Sequence, residues 1–290
     1  MFITLFSASA FAYILILISL LFVLFEEAVY GRPLRTGSFI GAAAAVYPYG
    51  GLSSFAALVS AVLFCISFYF IPMGSLPSFA HPRHNILFLY ASLFAALLFT
   101  RFRSTGRHRS ALSAFLSYDG VKFLFLLTVV LLLFALFASR YGIPGELLSF
   151  ETYAAPLLFG SAGPFGKAAF VLFALCLAAF APSGEKRGPL FLRTAGMFEA
   201  LVYPALIAAL FVPANAGLSL GLFGLPLFAA DLLLFWVKVF LIKEALMPCM
   251  RRVLRPVRET LYASVQSSGR AAILFCIALL LFAWDIYRIL

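Results

Sequence analysis

The chain has 290 residues, of which 64% are hydrophobic, 17% aromatic and only 11% charged, with a formal net charge of +10. A water-soluble domain is about a quarter charged. This composition, with a mean hydropathy of +1.07, argues against a soluble globular fold and makes the bilayer the main solvent. The positive charge, sorted by position below, reads as membrane orientation rather than nucleic-acid binding.

A helix crosses the hydrocarbon core with about 20 apolar residues. In chain order, the stretches that reach or approach this length are 3–25, 52–72, 85–100, 120–139, 165–182, 195–213, 225–246 and 269–287. The first lacks a basic leading region and a small-residue cleavage site, so it reads as a retained helix. The segment "TGSFIGAAAAVYPYGG" (36–51) is too short to span and suits an interfacial or re-entrant helix. Arginines cluster in alternate connections: Arg32 and Arg35, then Arg101, Arg103, Arg107 and Arg109, then Arg193 with Lys186 and Arg187, then Arg251, Arg252, Arg255 and Arg258. Arg-rich loops stay in the cytoplasm. The expectation is therefore an all-α integral membrane protein of about eight transmembrane helices, with both termini on the outer side. Residues 1–290 form one polytopic domain, multi-pass in the inner (cytoplasmic) membrane. The segment 140–164, with Glu146, Glu151 and two prolines, is either a broken amphipathic helix along the outer interface or an ordinary loop.

Cys65, Cys176, Cys249 and Cys276 lie mostly in apolar runs without metal-ligand spacing and are expected to be small buried hydrophobes. The three His residues fall in loops, and no nucleophile elbow, P-loop or dinucleotide fingerprint occurs. No catalytic residues and no metal or other cofactor are expected in this chain. Ionisable groups inside spans mark functional sites by default. Asp119 and Lys122 open the fourth span three residues apart. Glu199 lies one turn into the sixth, and Asp231 and Lys238 share a face of the seventh, with Lys238 near mid-membrane. Asp119, Lys122, Glu199, Asp231 and Lys238 form the candidate ion path. Asp119, Lys122, Glu199 and Lys238 are expected to make one buried, hydrated network. Lys243 and Glu244 read as interfacial, and Asp285, beside Trp284 and Tyr287, as part of an outer aromatic belt.

Three stretches occur in a telling order: "FYFIPMG", then "HNILFLYASLFAALL", then an Arg-rich loop ending in "SALSAFLSYDGVKFLFLL". Together they resemble the H subunit family of complex I and of membrane-bound, energy-converting NiFe hydrogenases. Asp119, after Ser117 and Tyr118, stands where that family carries the acid of a Ser-Tyr-Glu motif. "LLLFWVKVFLIKEALMPCMRRVLRPVR", with Lys238 and its trailing arginines, resembles the family's seventh helix and following loop. The chain departs from the family in its first cytoplasmic loop, which keeps Gly31, Arg32 and Arg35 but little else. The loop after the fifth span, "APSGEKRGPLFLRTAG", holds Glu185 as its single acid. These departures speak against a quinone site and favour the hydrogenase branch.

The resemblance implies a membrane anchor and coupling subunit of a complex-I-like oxidoreductase, linking electron transfer to ion translocation. Its expected partners are soluble iron–sulfur or hydrogenase-like subunits on the cytoplasmic side, which hold the iron–sulfur clusters and any NiFe centre. Antiporter-like and small membrane subunits, and the lipid bilayer, complete the set. The arginines Arg32, Arg35, Arg101, Arg103, Arg107, Arg109, Arg251, Arg252, Arg255 and Arg258 are the expected docking surface. The alternatives are a stand-alone secondary ion or solute transporter and a purely structural anchor.

Overall fold

The computed structural model describes residues 51–72, 85–102, 118–143, 148–154, 156–182, 190–212, 225–254 and 261–288. The expected span at 3–25 and the stretch 36–50 lie outside them. Among the described residues all regular structure is helical: α1 (Gly51–Ser67, followed by a 3-10 turn Phe68–Phe70), α2 (Asn85–Phe102), α3 (Asp119–Arg140), α4 (Phe150–Ala154), α5 (Pro156–Ser161), α6 (Pro164–Phe180), α7 (Leu190–Phe211), α8 (Leu225–Leu241), α9 (Met247–Leu254) and α10 (Leu261–Tyr287). A π-helical turn, Ile242–Leu246, joins α8 to α9 without a break. Among the described residues Asp119–Arg140 and Arg270–Tyr287 are long and apolar enough to cross a membrane, while four other apolar helices are shorter.

The helices begin and end where local chemistry dictates. Pro164 opens α6 behind Gly163 in extended conformation, since the first turn does not need proline's missing N–H. After α3, Gly142 adopts a positive φ of 61°. Its N–H bonds Ser139 O at 3.4 Å and that of Ile143 bonds Ala138 O at 2.9 Å. This is the Schellman closure, which favours glycine at its left-handed position.

Side-chain contacts give the helix directions. Ser60 bonds Ala96 and Thr100 (3.1 and 2.6 Å), while Ser67 bonds Ser92 (2.8 Å), so α1 and α2 run antiparallel. Ring contacts Phe123–Tyr203 and Phe134–Phe211 make α3 and α7 parallel. Cys176 beside Ala271, and Gly163 beside Asp285, make α6 and α10 antiparallel. The bundle thus has a near end, with Thr100, Tyr118, Ala181 and α9, and a far end, with Asn85, Gly142, Gly163 and Asp285. α7 is the central helix: every residue from Glu199 to Leu210 is buried. Outward, α3 presents Phe125 (69% exposed), Leu132 and Leu136, and α10 presents Ile273, Ile277 and Leu280. Exposed apolar stripes of this kind mark a membrane-facing or protein-contacting surface.

The segment 140–164 differs from both expectations. The chain breaks into two short helices there: α5 keeps Phe159 and Ser161 exposed, while α4 turns into the far end, with Phe150 and Tyr153 buried. The Phe150 N–H donates to Asn85 Oδ1 at 2.7 Å and the Ile86 N–H to Leu148 O at 3.2 Å. Burying the two rings requires partners for the accompanying backbone, and Asn85 supplies one. The cysteines also depart from expectation. Cys176 is buried, but Cys249 and Cys276 are exposed, because helix phase turns them to the apolar outside.

Candidate functional site

Tyr118 precedes α3 in extended conformation and its carbonyl accepts from Val121 and Lys122 N–H at 3.1 and 3.2 Å. The first turn then divides its side chains. Asp119 Oδ1 and Lys122 Nζ stand 3.8 Å apart, with side chains 31% and 37% exposed. A pair so exposed contributes about 0–1 kcal/mol. The Tyr118 side chain turns inward and its hydroxyl donates to Glu199 Oε1. Glu199 is 2% exposed, so this acid sits in the α3–α7 interface.

One turn along α7, Tyr203 is fully buried and its hydroxyl has no hydrogen-bond partner among the described residues. Residues four apart on a helix stack on one face, which places Tyr203 beside Glu199. The hydroxyl lies over Gly120: a Cβ there would meet it at 2.8 Å and Leu97 Cδ2 at 3.0 Å. Glycine is what lets the two helices close at this point. The Phe123 ring meets Tyr203 edge-on, centroids 4.7 Å apart. A buried carboxylate beside two phenols can hold and exchange a proton, and the unpartnered hydroxyl calls for a water. The sequence marks Glu199 but not Tyr203 or Gly120 as its partners. The Glu199/Tyr203 spacing on one helix is the available signal.

Lys238 is elsewhere. Its Nζ donates to Val212 O at 2.9 Å, beyond the C-terminal end of α7. Lys238 also lies within electrostatic range of Asp231, which is 1% exposed. Val212 is thirteen residue steps along the chain from Glu199, about 20 Å of helix axis. Lys238, expected in one network with Glu199, therefore stands apart from the Glu199 cluster and groups with Asp231. The reason is directional. A helical side chain leans toward its own N-terminus, and α8 points Lys238 at the electronegative end of α7, which favours a cation.

Lys243 and Glu244, expected at the interface, pair at 3.2 Å with side chains only 11% and 27% exposed. They ride on the π turn, which packs against α6 and α7. Pro204 stands inside α7, next to Tyr203, and has no N–H for the carbonyl one turn back. Asp285 is not part of a belt: it is 4% exposed, and Oδ2 accepts the Gly163 N–H at 2.9 Å. Trp284 and Tyr287 beside it are exposed.

Of the arginines, Arg251 donates to Ala181 O, closing the end of α6, and Arg252 is exposed. Arg101 sits in the last turn of α2; Arg32, Arg35, Arg103, Arg107, Arg109, Arg255 and Arg258 lie outside the described residues. Among the described residues no three His, Cys, Asp or Glu side chains are grouped to hold a metal.

No family matches. The chain fits no protein-family model, and no curated protein matches it. What the site can do follows from its own geometry: a buried acid on the central helix, held by a tyrosine at the start of α3, on the near side of the bundle.

Proposed function

We propose that the chain is a multi-pass membrane subunit of an energy-converting, complex-I-like oxidoreductase of the hydrogenase type. In this reading it has eight spans with both termini outside and its near end in the cytoplasm. The two long apolar helices and the exposed apolar stripes support the membrane setting. The observation that carries the functional reading is the Tyr118–Glu199 contact. It joins the motif-bearing start of α3 to an acid buried on the central helix, where a change at a docked redox arm would be felt. The chain itself holds no redox centre in this reading; clusters belong to soluble partners that dock on the Arg-rich loops, and no quinone is required.

The test is purification of the tagged chain from its native membrane in mild detergent. Co-purifying iron–sulfur proteins, with their cluster signals in low-temperature electron paramagnetic resonance, are the expected result. A monodisperse chain without iron would reject the reading. A stand-alone transporter is the second reading, favoured by the π turn with its enclosed Lys243–Glu244 pair, since irregular helices commonly line transport sites. Ion or solute flux by the chain alone in liposomes would select it.

A further inference from the structure

Above the Glu199 cluster the bundle changes character. From Tyr203 to the far end, the buried residues of α7 are all apolar, and so are those of α3 from Phe123 to Ala138. Six phenylalanines fill the space between α3, α6, α7 and α10: Phe134, Phe137, Phe170, Phe173, Phe211 and Phe282. Their centroids stand 4.5 Å apart for Phe134–Phe170, 5.8 Å for Phe134–Phe211, 5.3 Å for Phe137–Phe282 and 5.9 Å for Phe173–Phe282. Phe134, Phe137, Phe173 and Phe282 have no exposed surface at all. On the α8 side Phe235, Trp236, Val239 and Ile242 are buried as well, and Lys238 reaches Val212 O just past Phe211.

We infer that this aromatic cluster is an ion seal that gives the Glu199 site access from the near end only. The inference rests on the reading that the chain crosses a membrane, but not on any partner. A buried water needs room and two to four polar partners, and interdigitated rings offer neither. An ion entering dry apolar packing loses its hydration without replacement. Tyr203 is thus the last polar side chain along α7, at the inner end of a blind route. Its unpartnered hydroxyl takes a water that arrives past Tyr118 and Glu199 and goes no further. Charge reaching Glu199 cannot cross this subunit and must return or leave sideways.

The experiment uses the full chain in sealed phosphatidylcholine–phosphatidylglycerol liposomes with a trapped pH dye, challenged by an external acid step. The parent should hold the gradient as protein-free liposomes do. Phe134→Ser with Phe170→Ala should admit water and raise proton leak about tenfold or more, the change from lowering a barrier by ~1.4 kcal/mol. Phe282→Ser should do the same from the opposite wall. Phe134→Leu keeps the packing apolar and should stay tight. Adding Glu199→Gln to the leaking variants should return the leak to the parent level, because the route passes the acid. Breached variants that hold the gradient would overturn the seal. So would a leak indifferent to Glu199→Gln, which marks a disordered bundle rather than an opened route. Because no partner takes part, either failure leaves the co-purification result standing on its own.

Discussion

Replacing Asp285 tests how the last helix is fixed to the bundle. Its carboxylate is 4% exposed and accepts the Gly163 N–H at 2.9 Å, at the N-terminus of α6. Hydrogen bonds to a charged group contribute about 1.5–3 kcal/mol. A negative charge at a partly buried helix N-terminus adds up to about 2 kcal/mol. Asp285→Asn keeps an acceptor and loses the charge, so about 1 kcal/mol should go. Asp285→Ala also leaves the Gly163 N–H without its acceptor, and about 3 kcal/mol should go, a shift of roughly a hundredfold in the unfolding equilibrium. A Cβ at Gly166 would overlap Asp285 Oδ2, so Gly166→Ala should cost about 1–3 kcal/mol by overpacking. In the Asp285→Ala background that overlap is gone and only the 3.1 Å approach to Ala162 Cβ remains, so the cost should fall clearly. Residues in contact show such coupling; independent ones add. The assay is reversible unfolding of the purified chain in mixed micelles, titrated with dodecyl sulfate and followed by far-ultraviolet circular dichroism. If Asp285→Ala costs under about 0.5 kcal/mol, the bond is not structural. An unchanged Gly166→Ala cost in both backgrounds would refute the contact itself.

Gly120→Ala should destabilise by about 1–3 kcal/mol, because its methyl meets Tyr203 Oη at 2.8 Å and Leu97 Cδ2 at 3.0 Å; adding Tyr203→Phe should recover much of the loss in the same titration. Asn85→Ala removes the acceptor of the buried Phe150 N–H and should cost about 1–3 kcal/mol, with faster proteolysis within 148–154 as an independent readout. Lys238→Met should cost about 1 kcal/mol, from one hydrogen bond at a helix C-terminus, and leave the Glu199-dependent proton leak of the Phe134→Ser/Phe170→Ala variant unchanged; a change there would reconnect the two groups. In a background lacking the four native cysteines, Arg140→Cys should react with a membrane-impermeant maleimide in sealed cells and Arg252→Cys should not, since the two stand at opposite ends of the bundle; equal labelling would remove the proposed topology.

The helices are legible because hydropathy and length depend on local sequence. The expected stretches 85–100, 120–139 and 165–182 fall within two residues of α2, α3 and α6 at every end. The site is legible only in part. Glu199 stands out as a charge in an apolar run, but its partners are phenols and a glycine, which carry no such signal. Counting Lys238 and Glu199 each from its own helix end puts the two together. The vertical offset between α7 and α8, set by packing, does not appear in either segment alone. Asp285 reads wrongly for a related reason: its aromatic neighbours face outward while it faces in, and a sequence shows adjacency without phase.

The π turn bears on how this chain tolerates insertion and deletion. A π turn holds one residue more than the α-helical turn it replaces. Removing any single residue elsewhere in the run from Leu225 to Leu254 would rotate all that follows by about 100°. Arg251 would then leave Ala181 O, and Lys238 or Met247 would face the wrong neighbours. Removing one residue between Ile242 and Leu246 would instead relax the turn to ordinary helix and leave both flanks in phase. This five-residue window is the place in the helix where length is a free variable while the facing of every other side chain is kept.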